Sequence, residues 1–255
     1  MRLQVLGCAG GIGGRESSTT SLLVDDDILL DAGTGVASLD LDRLVRIDHV
    51  FLTHSHLDHV AGLAFLVDAV LGKREGAITV HASARVIEAL KRHLFNWVLW
   101  PDFATIPDAD DPILRWSEIL PGEPVRLGGR RVSPHTVSHT VGSLAYMVDN
   151  GRGGFLFTGD MCSTPGLWRA MREESLLRKV IVDCSFPDAD RDIADRSLHF
   201  CPATLLEDIR GLAPEVEVLI YHLKPGHEAS IMRELREQGG QRVFTALAGG
   251  DAFAF

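Results

Sequence analysis

Three imidazoles and a carboxylate fall within six residues, His54-Ser55-His56-Leu57-Asp58-His59, directly after the apolar run Val50-Phe51-Leu52-Thr53. Imidazole and carboxylate together suit Zn²⁺, Mn²⁺ or Fe²⁺. Alternate residues at a strand end project to one side of the backbone, so His54 and His56 can grip one ion. Asp58 and His59 lie beyond that pair, where the chain turns toward a following helix, and can face a second ion. A solvated, His-rich loop could carry the same residues without chemistry, but it has no need of the H-x-H-x-D-H order.

A metal pair needs more donors than this run supplies, and three appear singly further on. His139 follows Val132–Ser138 and precedes Thr140-Val141-Gly142-Ser143, Asp160 closes Phe155-Leu156-Phe157-Thr158-Gly159, and His222 follows Val218-Leu219-Ile220-Tyr221. Taken alone, a histidine at a strand end is more often structural, and Thr-Gly-Asp is more often a turn. Strand ends converge on one edge of a sheet, so the three together complete a donor set.

The elements that must position these residues read as short β-rich runs alternating with helical patterns. Strands are expected at residues 3–6, 21–24, 28–31, 49–53, 78–81, 131–138, 144–148, 154–158, 180–183, 216–221 and 242–245. Helical spacing of apolar residues appears over 60–71, 84–94, 165–172, 202–212 and 227–237, with Pro165 and Pro202 at two of the starts. Strands in the first third read mostly as hairpins, and later ones alternate with helices. The expectation is an α/β fold, an αββα sandwich of two mixed β-sheets with helices on the outer faces.

No linker, low-complexity segment or block of like charge divides the 255 residues, so one domain spanning 1–255 is expected. The N-terminus opens on an alternating strand without the pattern of a secretion signal, and no apolar run approaches the roughly 18 residues that span a bilayer. A cytoplasmic enzyme without membrane contact is the expectation. Cys8, Cys162, Cys184 and Cys201 form no C-x-x-C pair, which argues against a Cys-rich zinc knuckle or a redox dithiol. A net charge of −10 without a basic stripe argues against long nucleic acids, whereas a metal centre can still attract one small phosphorylated ligand.

The Gly-rich stretch from Gly7 to Gly14 lacks the features of a P-loop or a dinucleotide fingerprint, and reads as a tight loop bordering the metal cleft. Phe95, Trp97, Trp100 and Phe103 could stack on a purine, but core packing or a subunit interface is the favoured reading.

The ordered set H-x-H-x-D-H, His139, Asp160 and His222 resembles the metallo-β-lactamase fold superfamily along nearly the whole chain. The resemblance implies two divalent transition-metal ions, Zn²⁺ first with Mn²⁺ or Fe²⁺ as alternatives. It implies that His54, His56 and His139 hold one ion, that Asp58, His59 and His222 hold the other, and that Asp160 bridges them. Asp31, in Leu29-Leu30-Asp31-Ala32-Gly33, matches an early acidic residue that supports the site from outside; a carboxylate there would orient a liganding imidazole.

Five separated segments narrow the resemblance to class II cyclic-nucleotide phosphodiesterases. They are Leu6-Gly7-Cys8-Ala9-Gly10-Gly11, Leu57 with Val60-Ala61-Gly62-Leu63, His93 to Trp97 running into Trp100-Pro101-Asp102-Phe103, Ser185-Phe186-Pro187, and Tyr221-His222-Leu223-Lys224-Pro225. The chain departs from that pattern at Asp183-Cys184, where Glu is expected, and at His199-Phe200-Cys201-Pro202, where His-Leu-Thr-Pro is expected.

The implied reaction is hydrolysis of a 3′,5′-cyclic nucleotide to a 5′-monophosphate, by in-line attack of hydroxide with the 3′-oxygen leaving. Asp58 and His199 are the candidate catalytic residues. His199 resembles the extra active-site histidine of phosphodiesterase and transfer-RNA-processing members and is the favoured proton donor to the leaving group. Lys224 and His227 are the other candidates for a proton donor or positive neighbour of the leaving group and are read as substrate-binding, with Lys224 able to pin a phosphate oxygen. The alternatives are another phosphodiesterase, such as a transfer-RNA 3′-processing endonuclease, and a lactonase or thioesterase-type hydrolase. A homodimer is a further expectation from the resemblance.

Overall fold

Alternation of buried side chains along the strands divides the core into three layers, and two sheets separate them. The computed structural model describes residues 1–14, 17–139 and 142–255. Among them the first sheet contains β1 (Arg2–Gly7), β2 (Ser21–Val24), β3 (Ile28–Leu30), β4 (His49–Phe51), β5 (Ile78–Ala82) and β6 (Leu114–Glu118), with β14 (Ala252–Ala254) beside β1. The second runs β13 (Phe244–Ala246), β12 (Glu217–Tyr221), β11 (Leu177–Asp183), β10 (Gly154–Phe157), β9 (Leu144–Asp149), β8 (Arg130–Thr136) and β7 (Val125–Leu127).

Leu3, Leu22, Leu30 and Phe51 meet Tyr146, Phe157, Ile181 and Tyr221 between the sheets. Outside the first sheet, Val50 and Val80 pack under α2 (Leu57–Val70) and α3 (Ala84–His93). Outside the second, Val180, Val182 and Ile220 pack under α4 (Pro165–Glu173), α6 (Pro202–Asp208) and α7 (Glu228–Gln238). The arrangement is the expected αββα sandwich. Two shorter helices, α1 (Leu41–Leu44) and α5 (Arg191–Ser197), complete it.

The hairpin expectation for the first third holds only for β1–β2–β3. From β3 through β6 the strands pair in parallel. The reason lies in the connections: parallel neighbours require a crossover, and α1, α2 and α3 supply it. The strands β6, β7 and β14, absent from the sequence reading, have mostly exposed or half-buried residues, so they show no clear apolar alternation. Helix α6 ends at Asp208, earlier than the expected 212. Pro165 and Pro202 occupy the first helical positions, as expected, where a missing N–H costs nothing.

Phe95 and Phe103 are buried beneath the first sheet's helices. Trp100 donates its indole N–H to the Ala64 carbonyl at 3.1 Å and meets Phe65 edge-on. The aromatic segment is therefore mainly core packing, with only the turn Trp97-Val98-Leu99 left exposed. No helix among the described residues is long and apolar enough to cross a membrane.

Candidate metal centre

Every donor lies just past the carboxyl end of a strand or in the segment that follows it. His54 follows β4, His56 stands at the amino-terminal cap of α2, and Asp58 and His59 occupy that helix's first turn. The first turn is locked onto the neighbouring strand end. The Ala32 N–H donates to the His59 carbonyl at 2.7 Å, and a Cβ on Gly33 would lie 2.1 Å from the Asp58 carbonyl oxygen. Only glycine permits that approach. His139 follows β8, Asp160 follows β10, and His222 follows β12. Asp31 and His222 both adopt left-handed backbone, φ 55° and 60°, a strain characteristic of functional sites.

Two donor groups share Asp160, and a third set, Asp183 with His199 and His222, lies beside them. His54, His56, His139 and Asp160 place one ligand atom each within 4.8 Å of one another, and so do Asp58, His59, Asp160 and His222. Asp160 belongs to both: its carboxylate oxygens lie 3.7 Å from His54 Nε2, 4.0 Å from His139 Nε2, and 3.2 Å from the Nε2 atoms of both His59 and His222. His56 Nδ1 lies 3.4 Å from His139 Nε2.

Partners outside these groups fix the tautomers. Thr53 donates its hydroxyl proton to Asp31 at 2.8 Å and so accepts from His54 Nδ1–H at 2.9 Å. His59 Nδ1 lies 2.7 Å from Asp31, and His139 Nδ1 donates to the Leu198 carbonyl at 3.0 Å. Each arrangement turns an Nε2 atom toward the cluster. His54 Nε2 is buried there without a hydrogen-bond partner. A bare buried nitrogen costs about 1–3 kcal/mol, which a coordinated cation would offset. The donors present therefore fit divalent metal ions.

Electrostatics sharpen that fit. Burial, reinforced by the neighbouring His59, pulls His54 well below its ordinary range, and burial also lowers His56 and His139. These imidazoles are neutral, as ligands must be. Burial would raise the carboxyls of Asp160 and Asp58, but nearby imidazoles outweigh it and hold both well below the usual carboxylate range. His59 behaves oppositely: burial would lower it, yet Asp160 and Asp31 lift it well above its ordinary value.

Without metal, His59 therefore keeps its proton through neutral pH, and a cation must displace it. Loading the metal-free protein near pH 7 is expected to release protons, and apparent metal affinity should rise with pH across the range where His59 titrates. Calorimetric titrations in two buffers of different ionisation enthalpy count those protons; a count of zero would contradict the assignment.

His199 stands against this cluster, its ring 5.1 Å from those of both His139 and His222. Its Nδ1 donates to Asp183 at 2.7 Å. Burial would lower His199, but Asp183 and Asp160 outweigh it and raise it above its ordinary value. Asp183 and Ser185, marked in the sequence only by the Ser185-Phe186-Pro187 segment and by Asp183 standing where Glu is expected, thus enter the site. Lys224 extends its ammonium to the Gly10 carbonyl at 2.7 Å. The Gly-rich loop, as expected, borders the cleft: the Cys8 carbonyl accepts the His222 backbone N–H at 2.8 Å, and a Cβ on Gly10 would sit 2.4 Å from the His222 carbonyl oxygen.

His227 is not brought to the cluster. It is half-buried at the start of α7, with Nδ1 3.9 Å from Asp190, and among the described residues no hydrogen bond or ion pair joins it to either donor group. Thr140 and Val141, which follow His139, lie outside the described residues.

Residues 27–222 match the family model described as "Beta-lactamase superfamily domain", and the chain belongs to that family. Its two layered sheets are those of the metallo-β-lactamase fold. A probable 3′,5′-cyclic-nucleotide phosphodiesterase of Yersinia pestis is 26% identical over 243 residues, covering 82% of this chain and 68% of that protein. A 3′,5′-cyclic-nucleotide phosphodiesterase of Schizosaccharomyces pombe is 30% identical over 70% of this chain and 58% of its own length. A ribonuclease Z of Methanopyrus kandleri is 28% identical over 58% of this chain and 50% of its own. The chain thus spans from half to about two thirds of these curated relatives. Among solved structures, unliganded yeast PDE1 superposes with a TM-score of 0.83 at 18% identity, covering 100% of this chain and 99% of that one. The metallo-β-lactamase fold protein YhfI of Bacillus subtilis superposes with a TM-score of 0.79 at 20% identity, covering 99% of each chain.

Proposed function

We propose that the chain is a two-metal phosphodiesterase that hydrolyses 3′,5′-cyclic nucleotides to 5′-nucleoside monophosphates. The observation that carries this reading is the Asp160 carboxylate common to two buried His/Asp donor groups, with a raised histidine, His199, beside them. Relatives named cyclic-nucleotide phosphodiesterase support the substrate class. In this reading His54, His56 and His139 hold one ion, Asp58, His59 and His222 the other, and Asp160 both. We assign Zn²⁺, because the donors are imidazole and carboxylate without thiolate, a set that Mn²⁺ or Fe²⁺ can also use. Four free cysteines fit a cytoplasmic setting.

Two such cations supply Lewis acidity toward phosphoryl oxygens and a water acidic enough to attack near neutral pH. The chain's own residues do the rest. Asp58, held ionised, offers an oxygen to orient the attacking water by accepting its hydrogen bond. His199, oriented by Asp183, carries a proton for the departing 3′-oxygen. Lys224, whose ammonium donates to the Gly10 carbonyl, is assigned to a phosphate oxygen in this reading. Asp31 holds His59 from behind, which sets that imidazole's orientation and basicity.

A second reading, cleavage of precursor transfer RNA, is supported by the relatives named ribonuclease Z. The net charge of −10 weighs against gripping so long a polyanion. Incubation of the metal-loaded protein with cyclic AMP decides the primary reading: the expected product is 5′-AMP, and no turnover would sink it.

A further inference from the structure

We propose that Ser185 is a positioning residue that holds His222 in the tautomer able to take a metal ion; this rests on the ligand assignment proposed above. Ser185 is completely buried. Its hydroxyl oxygen lies 2.6 Å from Asp183 Oδ1 and 2.9 Å from His222 Nδ1. A hydroxyl has one proton to give, and the Asp183 carboxylate offers only acceptors, so that proton goes to Asp183. Ser185 must then accept from His222 Nδ1–H. His222 Nε2 is left with its lone pair aimed at the cluster, 3.2 Å from both Asp58 and Asp160.

The other imidazoles of the donor groups with a fixed Nδ1 partner are anchored elsewhere. Thr53 serves His54, Asp31 serves His59, and the Leu198 carbonyl serves His139. Of the two groups that share Asp160, Ser185 therefore touches only Asp58/His59/Asp160/His222, through His222; its oxygen also lies 3.2 Å from His199 Nδ1 and 3.2 Å from the His222 carbonyl oxygen, both longer than its 2.6 Å contact with Asp183. Its anchor is shared. Asp183 Oδ2 accepts from His199 Nδ1 at 2.7 Å and from the Met161 N–H, beside Asp160, at 3.2 Å. One buried carboxylate thus fixes His199 directly, His222 through Ser185, and the backbone next to Asp160.

The hydroxyl sets direction as well as position. Without it, His222 Nδ1–H would lose its acceptor, and the ring could turn or exchange tautomers, presenting N–H instead of a lone pair to the ion. Loss of a partner at this remove typically weakens metal binding about 10–100-fold.

The test titrates metal-free wild type, Ser185→Ala and Ser185→Thr with Zn²⁺ against a chelating indicator, resolving two dissociation constants, with circular dichroism of each metal-free protein to report folding. Ser185→Ala should weaken one constant about 10–100-fold and leave the other within about threefold. Ser185→Thr, which keeps the hydroxyl, should restore the wild-type pair. In a His222→Ala background the donor is already gone, so adding Ser185→Ala should change neither constant. Unchanged constants in Ser185→Ala, equal weakening of both, or a further loss in the His222→Ala background would each overturn the proposal. If the alanine variant does not fold, Ser185→Cys, with a weak thiol donor and acceptor, must show the same one-site weakening. No phosphodiester enters these readouts, so a protein that shows this pattern yet hydrolyses none would overturn the proposed function and leave Ser185's role standing.

Discussion

Asp160→Ala is expected to lower cyclic-nucleotide turnover on the order of 10⁴-fold or more. Four imidazoles converge on this one carboxylate, and it is the member common to both donor groups. In the proposed assignment its removal takes a ligand from each ion, and it leaves His54, His59, His139 and His222 without their common anion. The purified variant should hold fewer than two ions per chain. A second consequence distinguishes this account from general damage: Asp160 is the leading influence that raises His59 against burial. Without it, His59 loses its proton at lower pH, and fewer protons leave on metal loading at neutral pH. Turnover within tenfold of wild type would remove Asp160 from the mechanism.

His199→Ala is expected to cost about 10²–10⁴-fold on a cyclic nucleotide, the range for losing a positioned general acid. The same variant should act on bis(p-nitrophenyl) phosphate within about threefold of wild type, because a nitrophenolate leaves without a proton. The pH dependence has a definite sign. Asp183 and Asp160 raise His199, so the donor stays protonated to higher pH than a free imidazole. Activity on the cyclic nucleotide should fall as pH rises through that raised value, and the aryl ester should lack this alkaline limb. If His199→Ala harms both substrates equally, it is not the proton donor.

How much of this was legible in the sequence depends on whether a residue's role follows from its neighbours in the chain. His54, His56, Asp58 and His59 fall within six consecutive residues, and their order alone points to metal. His139, Asp160 and His222 are ordinary strand-end residues one at a time; as a set, each past a different strand, they gain meaning. Asp183 and Ser185 stand out only through the resemblance, Ser185 as the start of Ser-Phe-Pro and Asp183 where Glu is expected, and neither carries a role that its chain neighbours reveal. Their part depends on His199 folding back from the loop between α5 and α6 onto the end of β11. His227, a candidate positive neighbour of the leaving group, stands instead at the start of α7 beside Asp190, because the Pro225-Gly226 turn separates it from His222 and Lys224.

The fold followed similar limits. Buried central strands such as β9 and β11 declare themselves by apolar runs, whereas β6, β7 and β14 are stabilised as edge strands by backbone pairing that composition does not encode. Parallel pairing of β3 to β6 is likewise a property of the crossover helices. Alternation within a strand fixes which face is buried and not the direction of its neighbour.

The most direct test of the central claim compares catalytic efficiencies of the metal-loaded protein on cyclic AMP, cyclic GMP, bis(p-nitrophenyl) phosphate, a precursor transfer RNA and a lactone. The account predicts that a cyclic nucleotide ranks first and yields the 5′-monophosphate, with the lactone last. A lactone or the precursor transfer RNA in first place would contradict it.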